Sequence, residues 1–276
     1  MSADCCFSTL LSAAQRGWLA CDGDEALLSL ALPIEGIDPL LALPQLAEQE
    51  SLQVLWDSAP GLCLAAAGPC QELELAGSRR FEQAQRFADL CLSRLHDTAA
   101  DSPAHARPRV LLRFRFFDQV SERRRSEAVV PSVQAVLPRW QLSRQGRRGW
   151  LRLNGVVSSA ADCRELAEQL WLKHEQLLKT PTTPTPLKPQ ALVAATEPET
   201  WRQRYAAALT RGIDLVNSGD LHKLVLAVRH RIVLADTFNP LPLLKRLRRQ
   251  QAGSCRFLWQ RHAGDAFFGA SPERLL

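Results

Sequence analysis

The spacing of apolar residues in the first third of the chain predicts short strands followed by a helix. Residues 53–56 and 62–66 are short apolar runs, and the segment between them has the Asp, Ser, Pro and Gly composition of a turn. From Ser78 onward, apolar residues recur every three or four positions, as they do on one face of a helix: Phe81, Ala84, Ala88, Cys91 and Leu95. We therefore predict two strands joined by a turn, and then a helix.

The middle of the chain predicts further strands and a second helix. Residues 97–108 are rich in Ala, Asp, Ser and Pro and predict a loop, and residues 110–116 end in the strict alternation typical of a half-buried strand. Residues 139–142 and 150–153 predict the two strands of a hairpin. A helix is predicted over 160–178, where three leucines fall on one stripe: Leu166, Leu170 and Leu177.

A proline-rich connector is the clearest boundary in the sequence. Residues 181–189 contain four prolines, which cannot continue a helix or enter a central strand. We therefore predict an exposed connector that separates an N-terminal α+β region, residues 1–190, from a second region, residues 191–276. We interpret the connector as a segment that runs across the protein surface, more than as a true break between domains.

A capped helix and a strand are predicted directly after the connector. Thr196 and Glu199 have the spacing of a capping box. One helical face follows them: Trp201, Tyr205, Ala208, Gly212 and Leu215. The polar residues 217–220 end this helix, and the apolar residues 224–228 predict a buried strand that continues to residue 234.

The last predicted elements are a helix and a hairpin. Asn239 is a suitable cap for a helix that begins at Pro240, and the basic last turn of that helix complements its dipole. Residues 256–259 and 266–268 predict the strands of the hairpin.

The composition is that of an ordinary globular protein. Hydrophobic residues make up 46% and charged residues 23% of the 276 positions, which excludes wholesale disorder and collagen-like repeats. The formal net charge of +5 is small for a nucleic-acid binder. The basic runs lack interleaved aromatic residues, and we assign them to solvated loops and hairpin tips: Arg123 to Arg125, Arg144, Arg147 and Arg148.

The sequence offers no export signal and no membrane span. The N-terminus lacks a cationic start and a continuous apolar core, and no apolar run reaches the roughly 18 residues that a span needs. We predict a cytoplasmic monomer without nucleic-acid or membrane partners. The eight cysteines contain no Cys-x-x-Cys pair, so we predict reduced, mostly structural thiols, and leave open a redox or lipid role for Cys5 and Cys6.

Common catalytic signatures are absent, and two other segments carry the candidate chemistry. The first is Gly219-Asp220-Leu221-His222-Lys223-Leu224-Val225-Leu226-Ala227, and the second is Phe268-Gly269-Ala270-Ser271-Pro272-Glu273-Arg274-Leu275. From the residues alone, Lys223 could be a solvated strand-edge lysine and Glu273 a surface carboxylate in a turn. In a functional pair, burial would let Lys223 act as a base and Glu273 as an acid.

Together the two segments resemble the chorismate-utilising enzymes, closely from about Trp201 onward and more loosely before it. That resemblance implies an α+β fold, a large β-sandwich flanked by helices. It also implies that Lys223 activates water for attack at ring carbon 2 of chorismate, since family members that add ammonia typically have glutamine there. Glu273 would protonate the departing C4 hydroxyl, with Ala270 and Ser271 adjacent to the substrate. The expected activity is that of a Mg2+-dependent isochorismate synthase in quinone or siderophore synthesis.

Two departures from the family pattern lead to further expectations. The family has arginine after Val-Leu-Ala, where this sequence has Val228 and then Arg229. The family also continues beyond Ser-Pro-Glu-Arg-Leu, and the continuation holds its metal-binding glutamates. We therefore expect an N-terminal portion of a synthase that is inactive alone and holds no metal ligands itself. Salicylate synthase and a non-catalytic remnant that at most binds ligand remain alternatives.

Overall fold

A computed structural model of the chain describes residues 3–21, 24–47, 51–58, 60–118, 131–179, 192–195, 198–227, 232–236, 238–262 and 265–273. The chain forms two compact units, and each is described by itself. The first unit contains Met1–Thr185 and Pro240–Leu276, and the second contains Pro186–Asn239.

The described residues form the following helices: α1 (Ala3–Leu19), α2 (Pro39–Leu46), α3 (Arg80–Arg94), α4 (Ala160–Lys179), α5 (Pro198–Asn217) and α6 (Pro240–Gln250). They form the following strands: β1 (Ala26–Glu35), β2 (Gln53–Asp57), β3 (Leu62–Leu75), β4 (Leu95–Asp97), β5 (Leu111–Phe114), β6 (Val133–Gln145), β7 (Arg148–Val157), β8 (Leu192–Ala195), β9 (Ile232–Leu234), β10 (Cys255–His262) and β11 (Asp265–Ser271). A short 3-10 helix covers Ala104–Ala106.

The described residues of the first unit build one nine-stranded sheet. Its order is β11-β10-β2-β3-β6-β7-β1-β4, and β5 pairs with β6 beside this path. β1 and β4 run parallel, whereas the other neighbours run antiparallel. The hairpin between β6 and β7 turns through Gly146, whose φ of 62° suits the tight turns that favour glycine. The second unit contains α5 and the pair β8-β9.

The apolar core of the first unit lies between the sheet and its helices. Leu30 and Leu153 sit opposite each other on β1 and β7, and both are fully buried in the main core cluster. α4 contributes a buried stripe to that cluster: Cys163, Leu166, Ala167, Leu170 and Leu177. The α+β class predicted from the family resemblance is therefore confirmed, and the described residues of the first unit form one large sheet flanked by helices.

Most of the predicted secondary structure in the first unit is confirmed. β2 and β3, the hairpin of β6 and β7, α4, α6 and the hairpin of β10 and β11 all lie where the apolar pattern places them. In the second unit, α5 ends at Asn217 as predicted. The connector 180–189 and Thr196 of the predicted capping box lie outside the described residues.

Large apolar side chains face outward on two elements. Phe81 is exposed on α3, although its spacing places it with Ala84 and Cys91, which are buried. In β5 the arginine is half-buried and the flanking apolar residues face outward. Arg113 is half-buried because it has a polar partner on the neighbouring strand β6. Its Nη1 donates to Oε1 of Gln134 at 3.0 Å.

The compact units follow a different division from the predicted boundary near residue 190. α6, β10 and β11 belong to the first unit, and β10 joins its sheet by pairing with β2 from Arg256 opposite Asp57 to Gln260 opposite Gln53. The assignment of residues 1–190 and 191–276 to separate functional regions of the chain stays a prediction.

Within the described part of the chain, six cysteines are free thiols, which fits the prediction of reduced, structural cysteines. Among the same residues, no helix is both long enough and apolar enough to cross a lipid bilayer.

Candidate functional site

Lys223 follows the C-terminal end of α5, where a left-handed glycine turns the chain. The φ of Gly219 is 81°, a conformation that glycine adopts without a steric penalty. The backbone N–H of Leu221 donates to the carbonyl oxygen of Leu215 at 3.0 Å, which holds the turned chain against the last turn of the helix. Lys223 lies two residues further on and is exposed.

The residues after Lys223 lie along α5 and line a groove of about 350 Å³ with it. We call it the α5 groove, and its lining is mostly apolar: Tyr205, Leu209, Gly212, Ile213, Val216, Asn217, Leu224 and Leu226. A Cβ atom at Gly212 would lie 2.5 Å from Cδ2 of Leu224, so the leucine side chain occupies the space that glycine leaves.

The predicted strand from residue 224 to residue 234 is confirmed at its end, where Ile232–Leu234 form β9, and is wrong at its start. Residues 224–227 form no strand, and Val225 is 77% exposed. An apolar run becomes a strand only when a neighbouring strand accepts its backbone hydrogen bonds, and none of the described strands pairs with it. Val228 and Arg229, where the sequence departs from the family pattern, lie outside the described residues.

Glu273 lies just beyond β11, a strand at one edge of the nine-stranded sheet. Ala270 pairs with Arg256 and Ser271 pairs with Cys255 on β10, and the two predicted substrate-adjacent residues are half-buried. Glu273 itself is exposed.

A buried cluster of ion pairs fixes β10, the strand that supports β11. Arg256 and Asp57 are both fully buried, and their side chains approach to 3.1 Å. Nε of Arg248 donates to Oδ2 of Asp57 at 2.6 Å, and its Nη atoms donate to Asp38, the cap of α2. Burial by itself lowers the pKa of Arg248, but the hydrogen bonds and charges of Asp38 and Asp57 outweigh it and raise that pKa.

Sequence reasoning missed this cluster. Its bonded arginines and aspartates are 191 to 210 positions apart in the sequence, so no local motif joins them. The one visible signal is an arginine inside an apolar strand, Arg256 in Arg-Phe-Leu-Trp, which needs a partner if the strand is buried.

The two predicted catalytic residues belong to different compact units, Lys223 to the second and Glu273 to the first. Both are exposed, and the burial that tunes a lysine into a base and a carboxyl into an acid is absent at these described positions. Among the described residues, no three His, Cys, Asp or Glu side chains converge into a metal site. The described residues therefore do not form a site that fits a bound Mg2+ ion.

Comparison with known proteins adds a family and a fold. The family model described as "Chorismate binding enzyme" matches residues 12–276. Among solved structures, the chain is similar to MenF, the menaquinone-specific isochorismate synthase from Escherichia coli, with a TM-score of 0.61 and 20% sequence identity. None of the curated proteins matches the chain.

The likeness to MenF covers 96% of this chain and 55% of MenF, so the chain spans about half the length of that relative. At 20% identity the likeness establishes a shared fold.

Proposed function

The chain belongs to the chorismate-binding enzyme family, and from this membership we propose that it serves the synthesis of isochorismate from chorismate. In the proposed reaction, Lys223 takes a proton from a water molecule that attacks ring carbon 2. Glu273 gives a proton to the C4 hydroxyl, which leaves as water. One water enters and one leaves, so the reaction is an isomerisation.

The observation that carries this proposal is Lys223 itself. It occupies the position of Gly-Asp-Leu-His-Lys where the resemblance separates members that add water from members that add ammonia. A lysine can accept a proton from water when it is neutral, whereas a glutamine amide cannot act as a base. The Ser271-Pro272-Glu273 segment supplies the acid that a departing hydroxyl needs.

Further support comes from the fold shared with MenF, whose name states isochorismate synthesis. We propose the same reaction for this chain, with quinone synthesis as the pathway and the cytoplasm as its location.

Mg2+ dependence is part of the proposal. A hard cation would bind the carboxylates of chorismate through oxygen, which is the chemistry it supplies to the family. Among the described residues no three His, Cys, Asp or Glu side chains converge, so we assign the ion no ligands there. Isochorismate formation by the native protein should stop when EDTA is added and return with excess Mg2+.

Two substitutions test the proposed roles. Lys223→Ala and Glu273→Gln should each lower the rate of isochorismate formation by about 100-fold or more, the usual contribution of a general acid or base. The matched controls are Lys179→Ala and Glu168→Gln on α4, whose side chains are exposed and whose ion pairs with neighbouring turns contribute little.

The assay should use the native protein from its source beside the 276-residue chain, so that the two activities are compared directly. Circular dichroism and thermal unfolding check that each variant folds. Rates within threefold of the unsubstituted protein in either catalytic variant would remove that residue from the mechanism. Release of pyruvate would identify salicylate synthesis instead, and chorismate binding without turnover in the native protein would identify a non-catalytic relative.

A further inference from the structure

The strand that leads to Glu273 contains a glycine against which an aromatic ring lies. Gly269 on β11 is directly opposite Phe257 on β10 in the register of the hairpin. A Cβ atom at Gly269 would lie 3.0 Å from Cζ of Phe257 and 3.4 Å from its Cε1, so the ring occupies the place of the missing side chain. The φ of Gly269 is not positive, so the glycine is explained by the ring and not by a left-handed backbone.

The ring of Phe257 is held from the side by other aromatic residues. Its centroid lies 5.1 Å from that of Phe267, which precedes Gly269 by two positions on β11. Arg113 on β5 places its guanidinium carbon 5.6 Å from the Phe267 centroid. On the other side, Phe257 is opposite Trp56 on β2. Phe257 is therefore half-buried, and its orientation is fixed by rings on both sides.

The opposite face of the same hairpin is fixed by buried residues. Arg256 and Leu258 flank Phe257 on β10, so their side chains point to the other face of the sheet. Leu258 belongs to the main core cluster, and Arg256 is fully buried in the ion-pair cluster described above. Ala270 is directly opposite Arg256. The end of β11 is thus held from below by buried residues and from above by the ring of Phe257.

The place of Glu273 depends on this hairpin. β11 lies at one end of the strand order, and β10 is its only neighbour among the described strands. Glu273 comes two residues after β11 ends and only four residues after Gly269. A displacement of the strand end would therefore move the carboxyl group, and a misplacement of about 1 Å between reacting groups can cost about 100-fold in rate.

We propose that Phe257 is a positioning residue for Glu273. Its ring, seated on Gly269, sets the place where β11 ends and so directs the carboxyl group that follows. The consequence for catalysis rests on the proposed function, in which Glu273 gives a proton to the departing hydroxyl. The effect of the ring on β11 does not depend on that function and is measured separately.

Hydrogen exchange of the 276-residue chain tests the effect on the strand. Phe257→Leu removes the ring but keeps an apolar side chain, and the amides of residues 266–273 should exchange about threefold faster or more. Phe257→Tyr keeps the ring and should exchange as the unsubstituted chain does. The matched control is Phe114→Leu, the same change on β5 of the same sheet, which should leave these amides unaffected. Unchanged exchange in Phe257→Leu, or an equal acceleration in Phe114→Leu, would overturn the proposal.

The rate of isochorismate formation tests the consequence for the acid. In the native protein, Phe257→Leu should lower kcat by about tenfold or more and leave KM within about threefold, because a misplaced acid weakens the transition state and not the binding of substrate. Phe257→Tyr should restore the rate, and Phe114→Leu should keep it. A higher KM at an unchanged kcat would show that the ring serves substrate binding, and the positioning role would be wrong.

A paired substitution separates this contact from a general loss of packing. Gly269→Ala puts a Cβ atom against the ring, so it should lower kcat and accelerate the same exchange. In Phe257→Leu/Gly269→Ala the shorter leucine makes room, and the added effect of the alanine should be much smaller than beside phenylalanine. Fully additive effects would overturn the proposal. Thermal unfolding checks that each variant folds.

Failure of this proposal and failure of the proposed function give different results. If the unsubstituted native protein forms no isochorismate, the proposed function is overturned, and hydrogen exchange still decides whether the ring holds β11. If isochorismate forms and Phe257→Leu keeps the kcat of the unsubstituted protein, the reaction stands and the positioning role is overturned.

Discussion

Arg152 is a single residue whose loss we expect to be costly to the fold. Its side chain is fully buried under the loop that follows β4. Nη1 donates to Oδ1 of Asp97 at 2.6 Å and to Oγ of Ser29 at 2.7 Å, and Nε donates to the carbonyl oxygen of Ala106 at 3.0 Å. Burial lowers the pKa of Arg152, and its bond to Asp97 opposes that change.

Arg152→Met should therefore lower the free energy of unfolding by about 3–5 kcal/mol, because the removal of one partner leaves buried polar groups unpaired. The control is Arg147→Met at the exposed tip of the hairpin between β6 and β7, which should change that free energy by less than about 0.5 kcal/mol. Urea unfolding measures both. Equal effects of the two substitutions would show that the Arg152 bonds do not stabilise the fold.

Single residues are predictable where a local motif contains them and unpredictable where their partners are distant. Lys223 and Glu273 stand in recognisable segments, so the sequence is sufficient to name them as candidates. Arg152 alternates with leucines in Leu-Arg-Leu, a pattern that predicts an exposed arginine. It is buried instead, because its guanidinium group pairs with the carboxylate of Asp97, which lies 55 positions earlier in the sequence.

At the scale of elements, local pattern succeeds when the element satisfies its own hydrogen bonds or has a partner close by. α4 carries its leucine stripe into the core as predicted, and β6 and β7 pair through a two-residue turn. The segment 224–227 has an equally apolar pattern but forms no strand among the described residues. A strand depends on a neighbour, which its own sequence does not encode.

The first turn of α4 provides a prediction about pH. Oδ2 of Asp162 accepts the backbone N–H of Ser158 at 2.8 Å and its hydroxyl at 2.9 Å, and Oγ of Ser159 accepts the N–H of Asp162 at 3.2 Å. The bonds from Ser158 and then Ser159 lower the pKa of Asp162. A negative charge in the first turn also complements the helix dipole.

Because the pKa of Asp162 is lower in the folded than in the unfolded chain, ionised Asp162 stabilises the fold above the unfolded value of about 3.9. That contribution is lost as the pH falls through the folded pKa. Asp162→Asn should thus be less stable than the unsubstituted chain at pH 7, and the difference should shrink below about pH 4.

Thermal unfolding from pH 2 to pH 7 measures this difference. Asp101→Asn, at an exposed turn carboxylate, is the control and should follow the unsubstituted chain throughout. A deficit of Asp162→Asn that stays constant to pH 2 would contradict the role of the charge.

At the scale of the whole molecule, the chain closes its large sheet with strands from both ends of the sequence. It leaves the first unit at Thr185, returns at Pro240, and then adds β10 to the edge of β2. The sequence predicts the hairpin of β10 and β11 but not its place beside β2. That place depends on contacts across about 200 positions, and local periodicity contains no information about them.

The buried ion pairs of Asp57 allow the attachment of β10 to β2 to be tested. Asp57→Asn keeps the shape of the side chain but removes the charge that Arg248 and Arg256 share. Arg248 and Arg256 then lose the buried carboxylate that both of them bind. The free energy of unfolding should therefore fall by about 3–5 kcal/mol. Hydrogen exchange should accelerate in β10 and β11 more than in β7, an interior strand three positions along the sheet from β2.

An exposed ion pair on the same sheet supplies the contrast for that test. Arg261 on β10 pairs with Glu72 and Glu74 on β3, and all three side chains retain contact with solvent. Glu72→Gln should cost less than about 1 kcal/mol, since water solvates the charge that remains. If Asp57→Asn were as mild, or if exchange rose equally in β7, the returning segment would be held by the apolar contacts of Leu244 and Leu258 in the core rather than by the buried charges.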